Sequence, residues 1–144
     1  MRFMFMVKTP QPEEGISPPP ALIEAIGKLT EEMIRAGKFI GNGGLLPSRF
    51  GARIRSCGGR LSVTDGPFVE TKEVIGGFGI FNADSKEDAI EMGQQFMQIH
   101  LDVLGPSYEA ECEIRQMLDG DNCAEAHEAS RTADATCVTE ITSR

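Results

Sequence analysis

Two runs of the chain are apolar on both of their alternating faces, and they set the expected architecture. In residues 2–8, Phe3, Phe5 and Val7 point one way and Met4 and Met6 the other, the pattern of a central strand covered on both sides. In residues 74–81, Phe78 and Ile80 share one face while Gly77, Gly79 and Phe81 share the opposite one. Between these strands Leu22, Ile26, Leu29 and Met33 recur at helical spacing, with Ala25 and Ile34 widening the stripe. Ser17 is the expected N-cap of that helix, Pro18 to Pro20 occupy its first turn, and Gly37 stops it.

Residues 38–46 then read as a strand weakened by Gly41, Gly43 and Gly44, with a bulge. Gly58-Gly59 is a two-residue turn joining strands at 52–57 and 60–64. Such a turn pairs Cys57 with Arg60, Arg55 with Ser62, and Arg53 with Thr64. One face of the hairpin carries Arg53, Arg55, Ser62 and Thr64, while Ile54, Leu61 and Val63 occupy the other. Ser85-Lys86-Glu87-Asp88 is a near capping box. Ala89, Met92, Phe96 and Met97 follow as the stripe of a second helix, after which the chain turns through His100 and Leu104-Gly105-Pro106. In a last strand, 110–117, Cys112 and Ile114 alternate with Glu111, Glu113 and Arg115.

Strand, helix, strand, inserted hairpin, strand, helix, strand is the order of an α+β sandwich of ferredoxin-like type. Two helices cover one face of such a sheet, yet two of its strands are apolar on both. A second copy of the chain is the simplest cover for the bare face, so a homodimer is expected.

Composition changes this picture little. The 144 residues, 40% hydrophobic and 25% charged, suit one globular domain with a core of Phe, Ile, Leu, Val and Met, since tryptophan is absent. A net charge of −8 argues against nucleic acid and anionic membranes as partners. No apolar run approaches the roughly 18 residues of a spanning helix. The apolar start ends at Lys8-Thr9-Pro10, too early for a signal peptide, so the expected location is cytoplasmic. Cys57, Cys112, Cys123 and Cys137 have no metal-ligand spacing and are expected as free thiols, Cys112 as a small buried hydrophobe. Residues 1–118 form the expected domain. Residues 119–144 hold six acids and two arginines without apolar period, and are expected to be a mobile acidic tail in which His127 has no site role.

Chemistry concentrates at the run from Leu61 to Glu73. Asp65-Gly66-Pro67-Phe68 must turn, and Asp65, Glu70, Lys72 and Glu73 crowd one junction between strands. Asp65 is either a general acid or base held by Arg53 or Arg55, or the former of its own Asx-turn. Glu70, Lys72 and Glu73 either bind a polar ligand or form a solvated ion-pair network. Arg115 suits a substrate carboxylate, or a pair with Glu111 or Glu113. His100 is the one histidine of the domain, fit either to titrate in a pocket or to cap the helix. No phosphate loop, nucleophile elbow or metal set is present in the sequence, and neither metal nor cofactor is expected.

Asp65-Gly66-Pro67-Phe68, with Glu70, Lys72-Glu73, Gly77-Phe78 and the strand through Glu113-Ile114-Arg115, resembles the YCII-related proteins that carry a DGPF motif. The resemblance implies a dimeric α/β barrel, two sheets packed face to face. Some YCII-like proteins carry a His–Asp pair with the histidine in the first helix. Here that helix offers Glu24, Lys28, Glu31, Glu32 and Arg35 and no histidine, so the pair does not transfer. Two functions follow. One is binding of a small polar molecule in a charged cleft at the motif, with cofactor-free proton-transfer or lyase chemistry. The other is a non-catalytic accessory role, such as a partner in an extracytoplasmic-function sigma factor system, as the resemblance implies. Whether the chain is an enzyme is left open between them.

Overall fold

The computed structural model describes residues 1–9, 18–68 and 74–118, which form a mixed α+β unit. Its elements are β1 (Arg2–Thr9), α1 (Pro20–Arg35), β2 (Phe39–Gly44), β3 (Ala52–Cys57), β4 (Arg60–Asp65), β5 (Val74–Asn82), α2 (Lys86–Leu104) and β6 (Glu111–Gln116). A four-stranded antiparallel sheet runs β2-β5-β1-β6, and β3 and β4 pair separately. Both sheets are open. Ser17, Glu70, Lys72, Glu73, Cys123, Cys137 and the tail from residue 119 lie outside the described residues.

Local chemistry explains the ends of the elements. A proline pushes the residue before it into extended backbone. Pro18 and Pro19 both precede prolines, so the helix opens at Pro20 with Pro19 as its cap, φ −60° and ψ 147°. This corrects the expectations that Ser17 is the N-cap and that all three prolines lie in the first turn. At the other end Gly37, at φ +69°, donates its N–H to the Ile34 carbonyl, and Lys38 donates to Met33 at 2.9 Å. That double closure is a Schellman motif. Ser85 caps α2, its Oγ accepting from the Asp88 N–H at 3.0 Å. The same Asp88 carboxylate binds the Lys38 ammonium at 2.8 Å, tying the exit of α1 to the entry of α2.

The second helix is longer than its apolar stripe suggested. It continues through His100 to Leu104 and stops where Gly105 takes φ +85°. His100 therefore sits within the last turns of α2 and not in the turn after it.

The helices pack on one face of the sheet. Phe3 and Phe5 from β1 bury with Ala83, Ala89 and Met92, backed by Met33, Phe81, Cys112 and Ile114. Phe81 meets Phe5 edge-on at 5.1 Å and Phe39 at 5.7 Å. Gly93 lets α2 come down onto the sheet, since a Cβ there would stand 2.7 Å from Ile114 Cδ1. On the opposite face the register aligns Met4 with Ile80 and Arg115, and Met6 with Phe78 and Glu113. These four apolar side chains are half-buried, with no layer of this chain over them among the described residues.

The hairpin follows the expected register, Cys57 with Arg60, Arg55 with Ser62 and Arg53 with Thr64. Gly58 and Gly59 both take positive φ, 57° and 74°, as a type I′ turn requires. Its apolar face stays in solvent: Ile54, Leu61 and Val63 are 71%, 74% and 67% exposed.

Candidate functional site

Between the sheet and the helices lies a cavity of about 920 Å³. Its size originates in glycine. Gly77 and Gly79 put no side chain on the helix-facing side of β5, and Gly44, paired with Gly77, does the same on β2. The floor is therefore bare backbone at Gly44 and Gly77, while the Phe81 ring lies over Gly79, where a Cβ would come within 2.5 Å of it. The roof is the apolar stripe of α1, including Leu22, Ile26 and Met33, and one wall is Met92, Phe96, His100 and Leu104 at i, i+4 spacing on α2. A residue at Gly44 or at Gly27 on α1 would point into room, because a Cβ at either meets nothing within 4 Å.

Polar groups gather where α2 ends. His100 is only 9% exposed. Its Nδ1 lies 2.9 Å from the Phe96 carbonyl, which can only accept, so Nδ1 carries the hydrogen. The ring is held between Phe96, centroids 4.4 Å apart, and Tyr108, stacked at 5.5 Å and 22°. Burial pushes the Tyr108 phenol above its ordinary range, with the nearby Cys112 thiol adding to the shift. Burial raises the Cys112 thiol too, matching its role as a small hydrophobe beside the core; Cys57 and Cys112 are both free thiols. Among the described residues no group of three or more His, Cys, Asp or Glu is placed to hold a metal, and no helix is long and apolar enough to cross a membrane.

The expected site residues are spread over three places. His100 is in the cavity. Arg115 is on the bare sheet face, its Nε 2.7 Å from Glu113. Lys8 also binds Glu113, and together with Arg115 it holds that carboxyl below its usual range. Asp65, Arg53 and Arg55 are on the hairpin and outside the cavity lining. The pairing of Asp65 with Ala52 puts it on the Ile54 and Val63 face, opposite both arginines, and no ion pair joins them among the described residues. Strand alternation explains this: Thr64 faces with the arginines, so Asp65 cannot.

The motif itself forms a joint. The Gly66 N–H bonds the Gly51 carbonyl at 2.9 Å, and a Cβ on Gly66 would stand 1.8 Å from the Ser48 carbonyl oxygen. The Phe68 ring lies under the Arg53 guanidinium at 4.0 Å, and its N–H reaches Ser48 Oγ at 3.4 Å. Asp65-Gly66-Pro67-Phe68 thus fastens the hairpin to the turn at Ser48–Phe50.

The architecture and the motif define an α+β domain with a helix-covered cavity and a fastened hairpin. The YCII-related domain model matches residues 1–103, and the chain belongs to the YCII-related family. The match ends before β6, short of the Glu113–Arg115 strand that the resemblance took in. The chain is also 30% identical over 69 residues to an uncharacterised protein of Rhizobium meliloti (strain 1021), a stretch covering 48% of this chain and 56% of that one. It thus spans little more than half of that relative's length.

Proposed function

We propose that this YCII-related chain is a small-molecule-binding protein that works as a homodimer, each copy holding its ligand between its own sheet and helices. The cavity carries this reading. Protein interiors are packed with few voids larger than a water molecule, whereas about 920 Å³ falls within the span of ligand sites, roughly 300–1,000 Å³. The glycines under α1 preserve that space at the cost of backbone entropy and packing.

The dimer reading rests on the other face of the sheet. Strand order β2-β5-β1-β6 with both helices on one side supports a ferredoxin-like arrangement, and two such sheets packed face to face would cover Met4, Met6, Phe78 and Ile80. A typical interface removes roughly 800 Å² per partner from water, a larger gain than the surface pairs of Glu113 provide. We assign the Asp65–Phe68 segment to holding the hairpin and the ligand's polar contact to the cavity. The charged-cleft reading has less support, since Asp65 faces away from Arg53 and Arg55.

Native mass spectrometry of protein purified from its own cells tests the ligand reading. The wild type should release a small molecule on denaturation, and Gly44→Leu should carry none. A wild type that purifies empty, and that Gly44→Leu only stabilises, would mean that the cavity is a void.

A further inference from the structure

We infer that the cavity takes a neutral aromatic molecule bearing a hydroxyl, and that Nε2 of His100 accepts the hydrogen bond from that hydroxyl. This rests on the ligand-binding reading above and adds the chemistry of the ligand.

The first observation is the half-used imidazole. Nδ1 donates to the Phe96 carbonyl, so Nε2 of the neutral ring is a lone-pair acceptor. Among the described residues nothing donates to it, and since no fully buried side-chain nitrogen or oxygen there lacks a partner, Nε2 is reachable from open space. The ring cannot easily turn away, being packed against Phe96 and stacked on Tyr108. A histidine kept only for packing would gain by having both nitrogens bonded within the protein. This one is anchored at one nitrogen and lines the cavity.

The second observation is what else lines the space. Among the described residues that line the cavity there is no lysine or arginine, and Glu109 is there. A carboxylate or phosphate would lose its water with no cation to replace it, so the ligand is neutral. The floor at Gly44 and Gly77 is flat backbone, the Phe81 ring lies over Gly79, and Phe5 and Phe96 present further rings. A planar aromatic fits such a slot with edge and face contacts to those rings. The Tyr108 phenol, also in the lining, is a second polar group at the histidine end.

The test uses the intact chain near neutral pH with three fluorescent probes: a naphthol, its methyl ether and the matching naphthoate. The naphthol should bind about tenfold more tightly than the ether, the fold-change of one net hydrogen bond, and the naphthoate more weakly than either. His100→Phe keeps an aromatic ring in the stack and removes the acceptor; it should bring naphthol and ether to equal affinity. A readout free of any variant is the nitrogen NMR signal of His100 Nε2 in the wild type. It should move on adding the naphthol and stay put with the ether. Equal affinity of naphthol and ether in the wild type, or a preference that survives His100→Phe, overturns the role of His100. Gly27→Leu, which fills the cavity from the helix side, separates the two levels: it should weaken all neutral probes alike. If no probe binds the wild type, or Gly27→Leu changes nothing, the cavity reading itself falls and takes this inference with it.

Discussion

Gly66→Ala is the sharpest test of the joint that holds the hairpin. A Cβ there would lie 1.8 Å from the Ser48 oxygen, 2.6 Å from its carbonyl carbon and 3.1 Å from Arg49 Cα, where ordinary contact begins near 3.4 Å. All three are backbone atoms, so no rotamer can relieve the overlap. Two responses compete. Forcing the methyl in costs about 1–3 kcal/mol of overpacking strain. Opening the joint instead loses the Gly66–Gly51 hydrogen bond, about 0.5–1.5 kcal/mol. It also loses the exposed contact of Arg53 with Phe68, about 0.5–1 kcal/mol. Because the overlap is so deep, opening is the cheaper route, and the expected loss is about 1–2.5 kcal/mol, the sum of those two contacts. The hairpin buries almost nothing, so the loss should stay local. Hydrogen exchange read by mass spectrometry should show faster exchange across residues 48–68, with β1 and α2 unchanged. Gly51→Ala is the matched control: its Cβ would be 3.5 Å from the Ser48 oxygen and its backbone is extended, φ −113°. If Gly66→Ala exchanges like wild type across 48–68, the motif is no steric joint.

Three further outcomes are expected. Ser85→Ala removes the α2 cap and should cost about 1 kcal/mol, seen as a lower melting temperature, whereas an unchanged melt would mean that the Ser85–Asp88 bond contributes nothing. Asp88 is held below the usual aspartate range by the Lys38 ammonium and then by the Asp84 N–H. A depressed folded value adds stability above the ordinary aspartate range, about 3.9, that is lost as pH falls through the folded value; thermal melts in acid should be flatter for Asp88→Asn, and equal slopes would refute the linkage. Met4→Asp, whose charge would sit opposite Arg115, should yield aggregated or unfolded protein in place of the proposed dimer, and a wild type that sediments as a well-folded monomer would overturn the two-sheet assembly.

Much of the fold was legible because local rules acted alone. Gly58-Gly59 dictated the hairpin register, Gly37 the end of α1, and Ser85 the start of α2. The two-sided apolar pattern of residues 2–8 and 74–81 marked β1 and β5 as the central strands. The cavity was not legible, since a glycine in a strand reads as weakness and becomes volume only when helices span above it. His100 was visible as the i+4 partner of Phe96, itself i+4 from Met92, but treating it as a turn residue hid its wall position. The orientation of Asp65 could have been read from the same alternation that placed Arg53 with Thr64. Glu70, Lys72 and Glu73 lie outside the described residues.

On β5 bulky and bare residues interleave, Phe78 and Ile80 turned to one side and Gly77 and Gly79 to the other. Chain evolution meets two separate dials there. On the proposed reading, a side chain at 77 would press on the Gly43 carbonyl and one at 79 on the Phe81 ring, reshaping the cavity, while exchanges at 78 and 80 would retune which sheet surface can be met from outside. A single inserted residue would turn both dials at once, because every side chain beyond it changes sides. Phe78 and Ile80 would then fill the slot under α1, and the outer surface would carry Gly77, Gly79 and Phe81. Related chains should therefore vary at these four positions by substitution and keep residues 77–82, where pairing with β1 is regular beyond the bulge at Gly76, free of single-residue insertions.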